Sequence, residues 1–446
     1  MKIILPENVK KIIATLYDNG FEAYAVGGCV RDTLLGRNPQ DWDITTSAKP
    51  EQVKTLFGHT IDTGIEHGTV TIMLDHVGYE VTTYRIDGEY EDARHPKEVT
   101  FTSNLVEDLK RRDFTINAMA YNDQTGLVDA FDGIADLENK VIRCVGTATD
   151  RFSEDALRML RAVRFAAQLG FEIEEETCKA ISQLSHTIEK VSAERIQVEL
   201  VKLLVSDHPD LIRKAYELGL TKVFLPEFDV MMEKTQASKH HMYTVGEHTI
   251  QTLLNIKADK VLRLTMLLHD VGKPKSSTID EDGKEHFKGH EPLGAQMAKE
   301  ILKRLKFDNK TIDSCEALIR HHDDRPSITQ KSVRRAMNRI GLEQFPQIFD
   351  VKRADVLGQS MYQREEKLKY VDDFEQMYNL ILQNSQCVTK KDLKISGRDL
   401  IALGMKPGKE IGDILDKIFE MVLDDPELNT EDKLKELAHK MVTPLI

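Results

Sequence analysis

The chain has 446 residues, room for two to four domains, and its 41% hydrophobic and 30% charged composition excludes an intrinsically disordered chain. No stretch approaches the roughly eighteen uninterrupted apolar residues of a membrane helix, and charges in MKIILPENVKK come too early for a secretory leader, so a cytoplasmic protein is expected. The formal net charge of −13 argues against a uniformly basic nucleic-acid surface, and Cys29, Cys144, Cys178, Cys315 and Cys387 form no CxxC pair, which excludes a cysteine-based zinc module.

In chain order, Asn8 to Asn19 places Val9, Ile12, Ile13 and Leu16 on one helical face, between Pro6 and Gly20. Ala23 to Val26 is a short apolar strand ending in Gly27-Gly28, and Val30 to Leu35 is a short helix stopped by Gly36. Trp42 to Thr46 is strand-like. Thr69 to Leu74 and Tyr79 to Arg85 alternate as a hairpin around His76-Val77-Gly78. Arg85 to Phe101 is polar and poorly periodic, the signature of a mobile surface loop. From Ser153 onward the pattern is almost wholly helical, with boundaries expected at Pro226 and Glu233 to Lys239, and again near Gly358 to Lys367.

The strongest chemical signal is Gly27-Gly28, then Arg31-Asp32, then Asp41-Trp42-Asp43. Two residues apart on a strand, Asp41 and Asp43 point to one face. Paired carboxylates repel unless a cation neutralises them, and Mg²⁺ favours such an oxygen environment together with substrate phosphates. A Gly-Gly turn lets backbone N–H groups approach a triphosphate. Glu80 on a neighbouring strand is a possible third carboxylate or a structural one. Lys110, Arg111 and Arg112, and Arg158, Arg161 and Arg164 at helical spacing, offer local basic clusters on an acidic body.

The ordered run GGCVRDTLLGRNPQDWDITT resembles motif A of the class II tRNA nucleotidyltransferases and bacterial poly(A) polymerases. That resemblance implies an α+β fold: a DNA polymerase beta-like nucleotidyltransferase head, a mixed sheet with helices, followed by an all-α neck, body and tail. KRRDFTINAMA (Lys110 to Ala120) is similar to motif B, which implies that Arg112 and Asp113 contact the incoming ribose, with Asn117 supporting the loop. An Asp beside two Args is equally read as a local ion pair. DAFDGIADL (Asp129 to Leu137) resembles motif C, a hinge in which Gly133 supplies flexibility and Asp132 is a helix cap.

SEDALRMLRAVRFAAQLGF (Ser153 to Phe171) resembles motif D, with Ser153 as N-cap. Asp155 and Arg158 are nearly one turn apart on one helical face. A carboxylate accepts from an exocyclic amine and a guanidinium donates to a ring nitrogen or carbonyl, so the pair can read the Watson–Crick edge of C or A. Glu154 by resemblance orients them; capping is the alternative for both acids. Arg161 and Arg164 reach phosphates or form a solvated basic face. GIEHGTVTI (Gly64 to Ile72) resembles the tRNA-directed branch rather than the poly(A) branch, and RIDGEYEDARHPKEVTF (Arg85 to Phe101) resembles the complete flexible loop of enzymes that add the terminal A.

A second constellation comprises His248, His269-Asp270, His290, His321-His322 and Asp355. LLHDVGK (Leu267 to Lys273) resembles the HD phosphohydrolase signature. Mixed N/O ligation suits Mn²⁺, Fe²⁺, Ni²⁺, Co²⁺ or Mg²⁺. His248, His269, Asp270 and Asp355 are the minimal set, and His290 with one or both of His321 and His322 completes a second position. In the tail, Lys394 to Asp425, the residues Gly404, Pro407 and Gly408 separate two amphipathic segments flanked by Lys406 and Lys409; this resembles a tRNA-binding tail and reads equally as a helix–turn–helix core.

The sequence therefore predicts a head over 1–143, a helical neck over 144–232, an HD body over 233–365 and a helical tail over 366–446. The expected reaction joins CTP and ATP to tRNA 3′ ends with Mg²⁺ in the head. The alternatives are an A-adding or poly(A) polymerase, an HD phosphohydrolase with an RNA-binding head, or a non-catalytic tRNA scaffold; oligomeric state is open.

Overall fold

The computed structural model describes residues 2–88, 99–236, 242–282, 285–384 and 386–442. It divides into two compact units, residues 1–229 with 304–306, and residues 230–303 with 307–446.

In the first unit α1 (Glu7–Asp18) precedes β1 (Ala23–Val26), α2 (Gly28–Leu34), β2 (Ile44–Thr46), α3 (Pro50–Leu56), β3 (Thr60–Gly64), β4 (Thr69–Leu74) and β5 (Val77–Thr83). After β6 (Arg85–Asp87) and β7 (Val99–Phe101) come α4 (Leu105–Lys110), β8 (Met119–Asn122), β9 (Gly126–Asp129) and α5 (Gly133–Asn139). Seven strands form one mixed sheet in the order β3-β4-β5-β2-β1-β8-β9. β1 is antiparallel to β2 and β8, whereas β2 runs parallel to β5. All four β1 residues are buried, so the strand reads as a continuous apolar run rather than an alternating one.

The predicted hairpin forms, but its turn is Asp75-His76, with β5 starting at Val77. Both turn residues have positive φ, 50° and 63°, the left-handed pair that matches strand twist in a two-residue hairpin. The ends of the expected loop pair as the antiparallel ribbon β6–β7; residues 89–98 of that loop lie outside the described residues.

Helices then dominate: after β10 (Val141–Ile142) come α6 (Ala148–Glu154), α7 (Leu157–Leu169), β11 (Glu172–Ile173), α8 (Glu175–Leu184), α9 (Ala193–Leu204), α10 (Ile212–Glu217), α11 (Thr221–Phe224) and α12 (Pro226–Glu233). Gly133, expected to supply flexibility at a hinge, is closely packed. A Cβ there would lie 2.5 Å from the Thr115 carbonyl, so this close approach requires glycine. The cap of α5 also differs from expectation. Asp132 occupies the cap position with φ 60° and makes no side-chain cap bond; Asp129 does the bonding, accepting from the Gly133 and Ile134 N–H groups at 2.8 and 2.9 Å.

The second unit holds α13 (Val245–Leu254), α14 (Lys260–Leu268), α15 (Lys273–Ser276), the short pair β12 (Thr278–Ile279) and β13 (Glu285–His286), α16 (His290–Arg304), α17 (Asn309–His321), α18 (Gln330–Ile340), α19 (Phe345–Gly358) and α20 (Arg364–Gln383). It ends in α21 (Gly397–Ala402), α22 (Lys409–Asp424) and α23 (Glu431–Val442). Leu400, Ile414, Ile418, Val422, Leu434 and Ala438 pack the tail into one apolar cluster. The architecture is a mixed-sheet head with helices followed by a helical body, as the sequence predicts. No helix among the described residues is long and apolar enough to cross a membrane.

Candidate active site and metal centre

Asp41 and Asp43 stand immediately before β2 rather than on it, since the strand begins at Ile44. The chain is already running beside β1 there: the Val26 N–H donates to the Asp43 carbonyl at 3.0 Å. Parallel pairing of Ile44 with Val81 sets Glu80 alongside Asp43 one residue earlier. The electrostatics agree with that placement. Partial burial lifts the Asp43 pKa above the ordinary carboxylate value, Arg112 opposes, and Glu80 and Asp41 lift it further. Asp43 nonetheless opens to solvent on one side, into a cleft of about 530 Å³ lined by Gly28, Arg31, Arg37, Asp41, Asp43 and Gln168 among others. Gly27 has φ +80°, and a Cβ on it would meet the Arg112 guanidinium at 2.9 Å. The turn is thus glycine both for its backbone and for the cation above it.

Behind the cleft runs a chain of polar contacts. Arg31 donates to Asn117 Oδ1 at 2.7 Å, Asn117 donates to Asp113 Oδ1 at 3.1 Å, and Arg161 donates to Asp113 Oδ2 at 2.8 Å. Burial pushes the Asp113 carboxyl up, but Arg161 and Asn117 outweigh it and hold the group well below the usual range. The Asp113 partner is therefore Arg161, not the adjacent arginines. Arg111 and Arg112 turn back to the buried Asp108 on α4, at 2.9 and 3.8 Å, because residues three and four apart share a helical face. Arg161 and Arg164 are not a solvated face either. Glu199 on α9 accepts from Arg164 at 2.7 Å, and the Arg164 guanidinium lies 3.5 Å from the centre of the Phe165 ring.

The helix expected from Ser153 is broken at Asp155, which has φ −145° and ψ 104°. Ser153 is inside α6, its hydroxyl donating to the Thr149 carbonyl at 2.7 Å, so it is not the N-cap. Asp155 caps α7 instead, accepting the Leu157 N–H at 3.1 Å. Its other oxygen accepts from Arg195 of α9 at 2.7 Å. Arg158 donates to Glu154 at 2.6 Å and to the Arg111 carbonyl at 2.9 Å. Asp155 therefore lies outside α7 and shares no helical face with Arg158, contrary to expectation, and the two are held by separate partners. Three further residues shape the site: Asp108, whose spacing of three and four from Arg111 and Arg112 is a local signal, and Arg195 and Glu199, whose partners Asp155 and Arg164 lie far away in sequence.

In the second unit four imidazoles converge. His248 Nε2 lies 2.9 Å from Asp355 Oδ1 and 3.2 Å from His269 Nε2. Asp270 Oδ2 is 3.2 Å from His269 Nε2, and its Oδ1 is 3.5 Å from His290 Nε2 and 3.7 Å from His322 Nε2. The two trios His248–His269–Asp270 and Asp270–His290–His322 share the carboxylate that would bridge two ions. Each Nδ1 faces a backbone carbonyl: Gly358 for His248, Met266 for His269, Phe287 for His290 and Ile319 for His322. That fixes the tautomer with Nε2 as the inward lone pair, the outer-shell arrangement of ligating histidines.

Both Asp270 oxygens are buried without a hydrogen bond of good geometry, although the Lys273 ammonium pairs with Oδ2 at 2.7 Å. Burial lowers the His322 pKa, which favours the neutral, ligating form. The donor set fits a divalent transition ion. His321 is excluded from the cluster: its Nδ1 faces Asp324 Oδ2 at 2.8 Å, because its neighbour His322 takes the inward face of the helix end.

The Poly A polymerase head domain family matches residues 23–143, and the tRNA nucleotidyltransferase domain 2 family matches residues 293–438. The CCA-adding enzyme of Ligilactobacillus salivarius is 35% identical over 453 residues, spanning 98% of this chain and 99% of that protein. That of Leuconostoc mesenteroides is 36% identical over 98% of this chain and 96% of its own. Among solved structures, the Bacillus stearothermophilus CCA-adding enzyme in complex with CTP superposes with a TM-score of 0.72 at 27% identity, over 99% of each chain. The Thermotoga maritima CCA-adding enzyme complexed with tRNA shares the fold, with a TM-score of 0.58 at 22% identity. Similarity of this extent along the whole length settles the family: the chain belongs to the CCA-adding enzymes, the tRNA nucleotidyltransferases.

Proposed function

We propose that the chain adds C, C and A to the 3′ end of tRNA, using CTP and ATP, at the cleft lined by Asp41 and Asp43 beside the Gly27-Gly28 turn, with Glu80 next to Asp43. The observation that supports this most is the pair Asp41 and Asp43 on an open cleft, with the Asp43 pKa raised by partial burial and further by the neighbouring Glu80 and Asp41. Such an oxygen cluster fits Mg²⁺. Bound there, Mg²⁺ would neutralise the triphosphate and favour ionisation of the attacking hydroxyl.

The chain's own residues do the rest. Gly27-Gly28 leaves room for the triphosphate against the backbone, and Arg112, lying between Asp108 and Asp43, supplies fixed positive charge beside it. Arg161 and Asn117 hold Asp113 ionised, with Arg31 fixing Asn117, ready to accept from a ribose hydroxyl. Asp155 accepts from the exocyclic amine of C or A, while Arg158, held by Glu154, donates to the ring. Arg161 positions Asp113 and Arg164 braces Glu199. The tRNA 3′ oxygen attacks the α-phosphorus, the bond to the β-phosphate oxygen breaks, and pyrophosphate leaves. In this proposal 1–143 is the head, 144–232 the base-reading neck, 233–365 the HD body and 366–446 the tRNA-binding tail of an enzyme that works on cytoplasmic tRNA.

The test is incorporation of labelled CTP and ATP with Mg²⁺ into tRNA ending before the first C, after CC, or into unrelated RNA. Extension of all tRNA intermediates to CCA is expected. Extension of only the CC-ended tRNA means an A-adding enzyme, and long A tails on unrelated RNA mean a poly(A) polymerase.

A second reading adds to the first. The inward Nε2 cluster favours a divalent-metal phosphohydrolase at His248, His269, Asp270, His290, His322 and Asp355, with Mn²⁺, Ni²⁺, Co²⁺, Fe²⁺ or Mg²⁺ bound.

A further inference from the structure

The loop that joins α2 to the Asp41-Trp42-Asp43 run has little to hold it in place. Among the described residues, Asn38, Pro39 and Gln40 make no hydrogen bond of their own, and Asn38 and Gln40 are exposed. The last fixed point before Asp41 is Arg37. Its backbone N–H donates to the Asp32 carbonyl at 2.8 Å, which ties it to the end of α2. Its guanidinium turns the other way and donates to the Gln168 carbonyl of α7 at 3.1 Å.

That carbonyl suits a cation. It lies in the last turn of α7, where backbone oxygens have no partner within the helix. The Glu172 N–H, four residues on, donates to the Lys140 carbonyl at 2.9 Å instead. The negative end of the helix dipole adds to the attraction for a guanidinium. The acceptor is also well anchored. The Gln168 side chain accepts from Arg164 at 3.0 Å, and Glu199 of α9 in turn accepts from Arg164 at 2.7 Å.

Near its start α7 carries Arg158, and one turn later Arg161 donates to Asp113 at 2.8 Å. The helix is therefore tied to the head at two separate places. Arg158 and Gln168 are about ten residues apart, or roughly 15 Å along the axis. Arg37, Asp41, Asp43 and Gln168 all line the same cleft, so the second tie crosses it beside the carboxylate pair.

We propose that Arg37 is a positioning residue for nucleotide addition: by clasping the end of α7 it sets how far Asp41 and Asp43 stand from Arg158, and it does so without touching the substrate. The inference rests on the tRNA nucleotidyltransferase reading. The attacking 3′ oxygen and the α-phosphorus must approach to about 3–3.5 Å, so a nucleotide held by its base on a drifting neck misses its alignment. Turnover suffers, while the groups that hold the nucleotide stay intact.

The test uses the full chain with Mg²⁺ and tRNA ending before the first C. In Arg37→Ala, kcat for CTP addition should fall by about tenfold or more. The Kd for CTP, from calorimetry, and the midpoint of thermal unfolding should stay at the wild-type values. Arg37→Lys, which keeps a charged donor for the carbonyl, should recover most of the lost kcat. The slope of log tRNA affinity against log salt should be the same in Arg37→Ala as in the wild type. A slope smaller by about one unit would show that Arg37 binds an RNA phosphate, and it would overturn the clasp. Unchanged kcat overturns it too, as does a loss of CTP affinity equal to the loss of kcat. A wild-type chain that adds neither C nor A to any tRNA ends the transferase reading itself, a result distinct from an active wild type matched by an equally active Arg37→Ala.

Discussion

The two polar centres of this chain are built by opposite routes. In the head, the three carboxylates repel one another at an open cleft and depend on an incoming cation, whereas the arginines and acids around them are neutralised in pairs: Asp155 by Arg195, Arg158 by Glu154, Asp113 by Arg161. In the histidine cluster, His248, His269, Asp270, His290 and His322 are buried, Asp355 is partly exposed, and the Nδ1 of each of these histidines faces a backbone carbonyl that orients its ring. A site that must release a long polymer and change bases stays open and exchangeable. A cluster whose imidazoles are each held by a carbonyl is preorganised for one inward arrangement.

The largest effect that separates the two centres is Asp43→Ala. Incorporation of CTP and ATP should fall by at least about 10²–10³-fold, the scale of losing one preorganised electrostatic group. The midpoint of thermal unfolding should not fall, since the change relieves burial and like-charge repulsion. A large drop in stability would mean that the carboxylate is structural.

Asp270→Asn should do the reverse: bound Mn²⁺ or Ni²⁺, measured by elemental analysis, drops by at least about tenfold in affinity while incorporation persists. Within the cluster, His322→Ala should lose the second ion and His321→Ala should keep it, because only His322 turns inward. Equal losses would redraw the site.

Gly133→Ala sharpens the contrast between hinge and packing. A Cβ 2.5 Å from the Thr115 carbonyl forces a backbone shift, with an expected cost of about 1–3 kcal/mol in denaturant unfolding. A neutral outcome would restore the hinge.

Asp113→Asn should cost about 1.5–3 kcal/mol at neutral pH, where the native carboxylate accepts from Arg161. The native pKa of Asp113 is depressed. Its contribution is therefore complete above its unfolded value of about 4 and is lost as pH falls toward the native one. Stability curves of the wild type and the variant should converge below about pH 4; parallel curves would show that the carboxyl is not ionised in the fold.

The smallest effect is Asp129→Ala, about 1 kcal/mol for a lost helix cap.

Much of this was legible before any coordinates. The strand–glycine–helix run from Ala23 to Leu34, the Asp41/Asp43 pair, the hairpin of β4 and β5, and the His-Asp signature all rest on local patterns: apolar period, turn chemistry and fixed spacing. What the sequence could not fix was pairing across elements. The adjacency of Asp113 to Arg112 suggested an ion pair, yet helix geometry turned Arg112 to Asp108 and tertiary packing brought Arg161 from α7. Two neighbouring histidines looked interchangeable until the end of α17 pointed one in and one out. Composition and spacing determine which groups are near in sequence and what chemistry they carry. Only the packed fold decides which of them meet, because partners for buried charges come from whichever helix is laid alongside.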